Sequence, residues 1–192
     1  MSPRAVDKLL RRIEHWPPNS PGAANAWLLL VTTKPPSWRD PLYPWVERPL
    51  TFGSMHEGFL YPDPLGFWTE VRRWSVACLR SREPSWDASE ALAVTALVHV
   101  GDAAAALAVC RPAAMLFLDE PAWQASGFDG AGRVELHHIP DPHRDGTVYQ
   151  GLWSVLPDQR IVGKAPQHPS SHRFYRAADM DTFLAALPRR SD

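Results

Sequence analysis

Apolar positions recur along this chain at two spacings, and the changes between them mark its elements. Val6, Leu9, Leu10 and Ile13 follow the i, i+3, i+4, i+7 stripe of an amphipathic helix, with Ser2 as N-cap, Pro3 at the first helical position and Pro17-Pro18 as the stop. Residues 27–33, WLLLVTT, form a continuous apolar run ending in β-branched side chains, which predicts a buried central strand. Asp63 and Pro64 then read as N-cap and first residue of a helix to about Arg82, whose core face carries Phe67, Val71, Trp74 and Cys78. Its arginines, Arg72, Arg73, Arg80 and Arg82, are expected on the solvated side.

The run ALAVTALVHV over 91–100 fits a strand, yet Asp87 and Glu90 form a capping box ahead of it; the reading adopted is one helical turn followed by a strand. Gly101 and Asp102 open a short Ala-rich helix closed by Pro112, and AAMLFLDEP follows as a second buried strand, so the unit is a candidate βαβ crossover. From 134 to 139, Val134, Leu136 and His138 alternate with Glu135, His137 and Ile139, which places the two histidines on opposite faces of one strand. After the turn DPHRDG, residues 148–155 begin a hairpin that bends at Pro157 and Asp158 and returns over 161–164. Asp179 is expected to cap a last helix with Met180, Phe183, Leu184 and Leu187 on its core face.

These elements predict an α/β (or α+β) fold: a single compact domain over 1–192, with a mixed sheet, a C-terminal hairpin, flanking helices and a long Pro/Trp-rich loop. A length of 192 residues at 45% hydrophobic content fills one core rather than two. A formal net charge of −1, from 20 basic and 21 acidic residues, disfavours nucleic acid and anionic membrane surfaces as partners. The start MSPRAVDKLLRR lacks the apolar segment of a signal peptide and no run approaches a membrane span, so the expected compartment is the cytoplasm. Abundant Ala, Arg and Pro, with lysine only at Lys8, Lys34 and Lys164, suggest a bacterial source with a GC-rich genome. Cys78 and Cys110 fall in apolar helical stretches and are expected as buried free thiols.

Twenty prolines and nine tryptophans distinguish this composition. Seven of the prolines lie in 34–64, interleaved with Trp38, Tyr43, Trp45, Phe52, Phe59 and Tyr61, a stretch that cannot sustain a helix but can cover a core or a pocket. Trp38, Trp45 and Tyr61 are the recognition anchors expected there, because one ordered ring buries much area. The leading functional expectation is therefore a binding or accessory protein that presents this surface to a protein partner or small ligand. A homodimer whose exposed tryptophans meet across a symmetry axis is a further expectation.

The competing expectation is a small hydrolytic or tailoring enzyme. Five of eight histidines lie between Val134 and Tyr175. His138, His143 and His172 are candidate acid-base groups, with Asp119, Asp141 or Asp145 to orient one of them, and His56-Glu57 between Gly53 and Gly58 is a second candidate pair. Asp119 and Glu120 stand at the carboxyl end of a predicted strand, where open α/β sheets bind ligands; the plainer reading makes them the strand's exit into solvent. Lys164 with Arg173 would suit an anionic substrate, and Ser170 or Ser171 would need a nearby base to act as a nucleophile. A divalent metal would draw on His138, Asp141, His143 and His168, but HEXXH, paired CXXC and deaminase patterns are absent, and Pro169 opposes helix at His168. A nuclease of the PD-(D/E)XK kind would pair Asp158 with Lys164, but Val162 stands where it needs an acid. One glycine before the helix at 101 is not a phosphate cradle, so no nucleotide cofactor is expected.

Overall fold

A computed structural model of the chain describes residues 26–33, 67–128 and 132–188, together with the backbone of 37–39 and 47–49. The predicted first helix, His56, Glu57, Trp45 and Tyr61 lie outside the described residues, as does the side chain of Trp38.

Six strands form one mixed sheet in the order β4-β1-β5-β8-β7-β6. They are β1 (Leu28–Thr32), β4 (Thr95–His99), β5 (Ala114–Phe117), β6 (Arg133–Pro140), β7 (Val148–Val155) and β8 (Ile161–Lys164). The first four in spatial order run parallel, while β7 and β6 are antiparallel additions at one edge. Between them, β2 (Ser37–Arg39) and β3 (Glu47–Pro49) pair antiparallel as a separate ribbon, so the Pro/Trp-rich stretch read as loop contains a short two-stranded element.

Alternation along β1 explains the layers. Leu28 and Leu30 face a core built with helix α1 (Phe67–Arg80), α2 (Ala88–Ala93) and α5 (Ala177–Ala185), and Leu29 and Val31 face a second core built with α3 (Val100–Cys110) and α4 (Glu120–Ser126). All five residues of β1 are buried, as a strand covered on both faces requires. The chain passes from β1 over the first face to β4, then through α3 on the second face to β5, which lies on the other side of β1. The predicted βαβ crossover is present, with β1 between its two strands.

Periodicity predicted the core stripes well. Phe67, Val71, Trp74 and Cys78 of α1 are buried, and so are Met180, Phe183, Leu184 and Leu187 at the C-terminal helix. The capping box at Asp87 is formed: its carboxylate accepts from the Ser89 and Glu90 amides, and Glu90 accepts from the Asp87 amide.

Three local readings change. The last helix begins at Ala177 with Arg176 at the N-cap, so Asp179 lies inside its first turn, where it favours the positive end of the helix dipole without capping it. Not every arginine expected on this helix's solvated side is solvated: Arg73 pairs with Glu70 and Asp181, and Arg82, in the turn after α1, donates to the carbonyl of Pro188. Asp119 and Glu120 open α4, which the sequence reading lacked: Glu120 is exposed, as expected of a strand's exit into solvent, whereas Asp119 is half-buried as the N-cap.

Candidate functional site

At the carboxyl ends of the adjacent parallel strands β1 and β5, the next described helix after β1, α1, lies on one face of the sheet and the next after β5, α4, lies on the other. Such a switch point opens a crevice that ligands use in doubly wound sheets. Asp119 stands at this point as N-cap of α4. One carboxylate oxygen accepts from the Thr32 hydroxyl at 2.7 Å and the Thr33 amide at 2.9 Å. The other accepts from the Thr33 hydroxyl at 3.1 Å and the Ala122 amide at 2.8 Å. Burial by itself would raise the pKa of this carboxyl; hydrogen bonds from Thr32, Thr33 and Ala122 outweigh it and hold the group below its ordinary range.

Four donors on one ionised carboxylate make Asp119 a clamp. It ties the end of β1 to the start of α4, across the mouth of the switch point, and its oxygens have little capacity left to take a proton from a substrate. Beside it, at the end of β8, Lys164 forms an ion pair with Glu120. At the end of β4, His99 caps α3 by accepting from the Gly101 amide at 3.1 Å through Nδ1. Thr32, Thr33 and His99 were not among the sequence-level candidates. The signal for them is positional: each ends a buried parallel strand, and a polar residue there stands at the ligand edge.

The histidine segment does not converge on this point. His138 is exposed on β6, three strands from β5 in the sheet, and His143 is exposed in the β6-β7 turn. Asp141 is buried but turns to its own hairpin, accepting from the His143 amide at 2.8 Å and the Tyr149 hydroxyl at 2.7 Å. Burial opposes its ionisation, yet the His143 amide and Tyr149 hydroxyl bonds bring its pKa down. His168 caps the 3₁₀ helix Pro169–Phe174, accepts from the Ser170 amide and stacks on Phe67 at 5.5 Å between ring centroids. His172 lies in that 3₁₀ helix with its side chain outside the described atoms. Arg173 is exposed, with its guanidinium 4.9 Å over the ring of neighbouring Phe174. His137 and His138 do point to opposite faces: His137 packs edge-on against Phe183 while His138 faces outward.

Among the described residues, no three His, Cys, Asp or Glu side chains come together as a metal-binding group. No described helix is long and apolar enough to cross a membrane. Both cysteines are free and buried; burial pushes the Cys78 thiol up to about 12 and raises that of Cys110. A thiol so shifted is a poor nucleophile. A concavity of about 560 Å³ lies along the outer side of α1, between Thr69, Arg72, Arg73, Val76, Arg80 and Asp181. Arg73 is neutralised there by Glu70 and Asp181, and Arg80 donates to the Trp86 carbonyl at 2.8 Å, so this groove is less basic than its arginines suggest.

Comparison of the chain with protein-family models, with curated proteins and with solved structures finds no match in any of the three.

Proposed function

We propose that this is a binding protein that holds a small ligand or a protein partner at the carboxyl edge of β1 and β5, using the Pro/Trp-rich segment that follows Thr33. The observation that carries the reading is the Asp119 clamp on Thr33. Thr33 is the last residue before that segment, so a half-buried, ionised carboxylate holds the residue from which the aromatic stretch departs. Preorganising a recognition loop at its base lowers the ordering cost of binding. Trp38, Trp45 and Tyr61 then supply the anchors, and the clamp holds Thr33 in place.

The enzyme reading has less to support it. Among the described residues its candidate groups are spent on structure or stand apart: Asp119 is saturated, Lys164 is paired with Glu120, and His138 and His143 are exposed on a distant hairpin.

The test is chemical-shift mapping on ¹⁵N-labelled full-length protein with a panel of small aromatic and anionic compounds. Binding that moves the amides of Thr33, Gly101 and Ala122, and that weakens in Trp38→Ala and Trp45→Ala, supports the proposal. Shifts confined to the β6-β7 hairpin, or turnover of an ester panel abolished by His138→Ala with His143→Ala, overturn it.

A further inference from the structure

Among the described residues, the outer strand β6 combines an unpaired main-chain edge with an exposed apolar strip. Val134, Leu136 and Val148 are 42%, 54% and 51% exposed and are the large apolar side chains standing out among the described residues. Val134, Leu136 and His138 share one face of β6, opposite Ser154, Leu152 and Gln150 of β7. Leu152 packs against the core beneath α3 and α4, so the strip continues that core outward past the last helix covering it. Among the described residues no strand pairs with the far side of β6.

The hydrogen-bond phase of the edge is fixed. The Asp141 amide donates to the Thr147 carbonyl at 2.9 Å, which extends the β6-β7 ladder by one pair. In an antiparallel pair, bonding direction alternates along the strand, so residues 139, 137 and 135 face β7 while 138, 136 and 134 direct both N–H and C=O to the open edge. Natural edge strands of this length usually carry Lys, a bulge or an inward charge as protection. Here one charge, Glu135, sits on the face shared with His137 and Ile139, paired with Arg133, and among the described residues the free run ends at Pro140, which has no N–H, and at Gly132, whose φ of 81° turns the chain out of strand geometry.

We infer that β6 pairs antiparallel with β6 of a second copy of this chain, with Leu136 on the two-fold axis, joining the two sheets into one. This register is the one the side chains favour. It sets Leu136 against Leu136, Val134 against His138 and Glu135 against His137 of the second copy, an acid beside an imidazole on each side of the axis. All three outward-facing residues then exchange main-chain bonds. A two-residue shift one way puts Glu135 opposite Glu135; a shift the other way puts His137 opposite His137 and Val134 opposite Pro140, losing a donor. The interface is isologous, as a closed dimer needs. It is independent of the ligand site at β1 and β5.

The experiment is sedimentation velocity of full-length protein over a concentration series, with three single variants checked for native circular dichroism. Wild type is expected to dimerise, and Leu136→Lys to weaken association about tenfold or more, because two ammonium groups would face each other across the axis. Under mild oxidation Leu136→Cys should cross-link, since opposed residues of a bonded pair have Cα atoms about 5.5 Å apart. Val134→Cys should not, because its two thiols would lie roughly 13 Å apart along the strands. The native cysteines are buried and do not compete. A monomer at every concentration, a dimer indifferent to Leu136→Lys, or faster cross-linking by Val134→Cys than by Leu136→Cys overturns the proposal.

Discussion

The indole of Trp153 lies across the bare backbone of Gly163, its register partner on the neighbouring strand. A Cβ on Gly163 would stand 2.2 Å from the indole ring. The same indole stacks on Phe183 with centroids 5.0 Å apart and planes at 13°, and its N–H donates to the Phe183 carbonyl at 2.9 Å. One side chain thus joins β7, β8 and α5, and only glycine leaves room for it.

Gly163→Ala should therefore destabilise the fold by about 1 to 3 kcal/mol, the usual cost of overpacking a filled core, because the ring cannot move without breaking its bond to Phe183. The reading is a lower urea midpoint at unchanged slope. An alanine variant as stable as wild type would mean that the indole has another place to go.

The relation between Trp153 and Gly163 was half legible in the sequence. Alternation put Trp153 on one face with Tyr149 and Val155, and the bend at Pro157-Asp158 set the two strands side by side, but nothing marked Gly163 as the residue beneath the ring. Helix stripes were read correctly because burial on one side repeats with the helical period, as in α1 and at the C-terminal helix. The strand after Asp87 was found because the capping box and the apolar run of ALAVTALVHV are both satisfied when a short helix is followed by a strand. Helix α4 was missed because it is a short helix begun by Asp119 and Pro121, and the acids were weighed as a strand exit. The Asp119 clamp was less legible than the fold. Histidine count drew attention to the hairpin, whereas the clamp depends on Thr32 and Thr33 meeting Asp119 across 86 or 87 residues of sequence, a contact that only the parallel pairing of β1 with β5 creates.

Asp119→Asn should cost about 1.5 to 3 kcal/mol at neutral pH, since hydrogen bonds to a charged acceptor are replaced by one amide that cannot satisfy four donors. The carboxyl pKa is depressed in the fold from an ordinary value of 3.8. Its contribution is therefore present above that value and is lost as pH falls toward the folded-state pKa. The gap in stability between wild type and variant should be widest near neutrality and close in acid. A gap that stays constant down to pH 2 would show that Asp119 does not act through its charge.

Cys78 should resist thiol reagents in the native state. It is fully buried in α1, with its pKa raised to about 12, so neither access nor thiolate is available near neutral pH. Labelling by a chromogenic disulfide at Cys78 should then follow global unfolding and accelerate with denaturant. Rapid labelling of Cys78 in buffer would reveal a local opening of α1.

Glu70 gathers three donors from two parts of the chain: the Tyr175 hydroxyl at 3.0 Å, the Trp74 indole N–H at 3.1 Å and the Arg73 guanidinium. This cluster fastens α1 to the segment that leads into α5. Burial, reinforced by the neighbouring Glu70 charge and by donation to it, pushes the Tyr175 hydroxyl well above its ordinary value of 10.0. A group whose folded pKa is raised stabilises fully below its unfolded value, and that stabilisation is lost as pH climbs above it. Tyr175→Phe should lower stability by about 1 to 3 kcal/mol at neutral pH, the range for a hydrogen bond to a charged acceptor. It should also remove part of the alkaline loss, so the wild-type and variant stability curves converge above pH 10. Thermal or urea unfolding from pH 7 to 11 tests both effects. Parallel curves across that range would mean that Tyr175 ionises as freely in the fold as in the unfolded chain, and that its bond to Glu70 does not hold α1 in place.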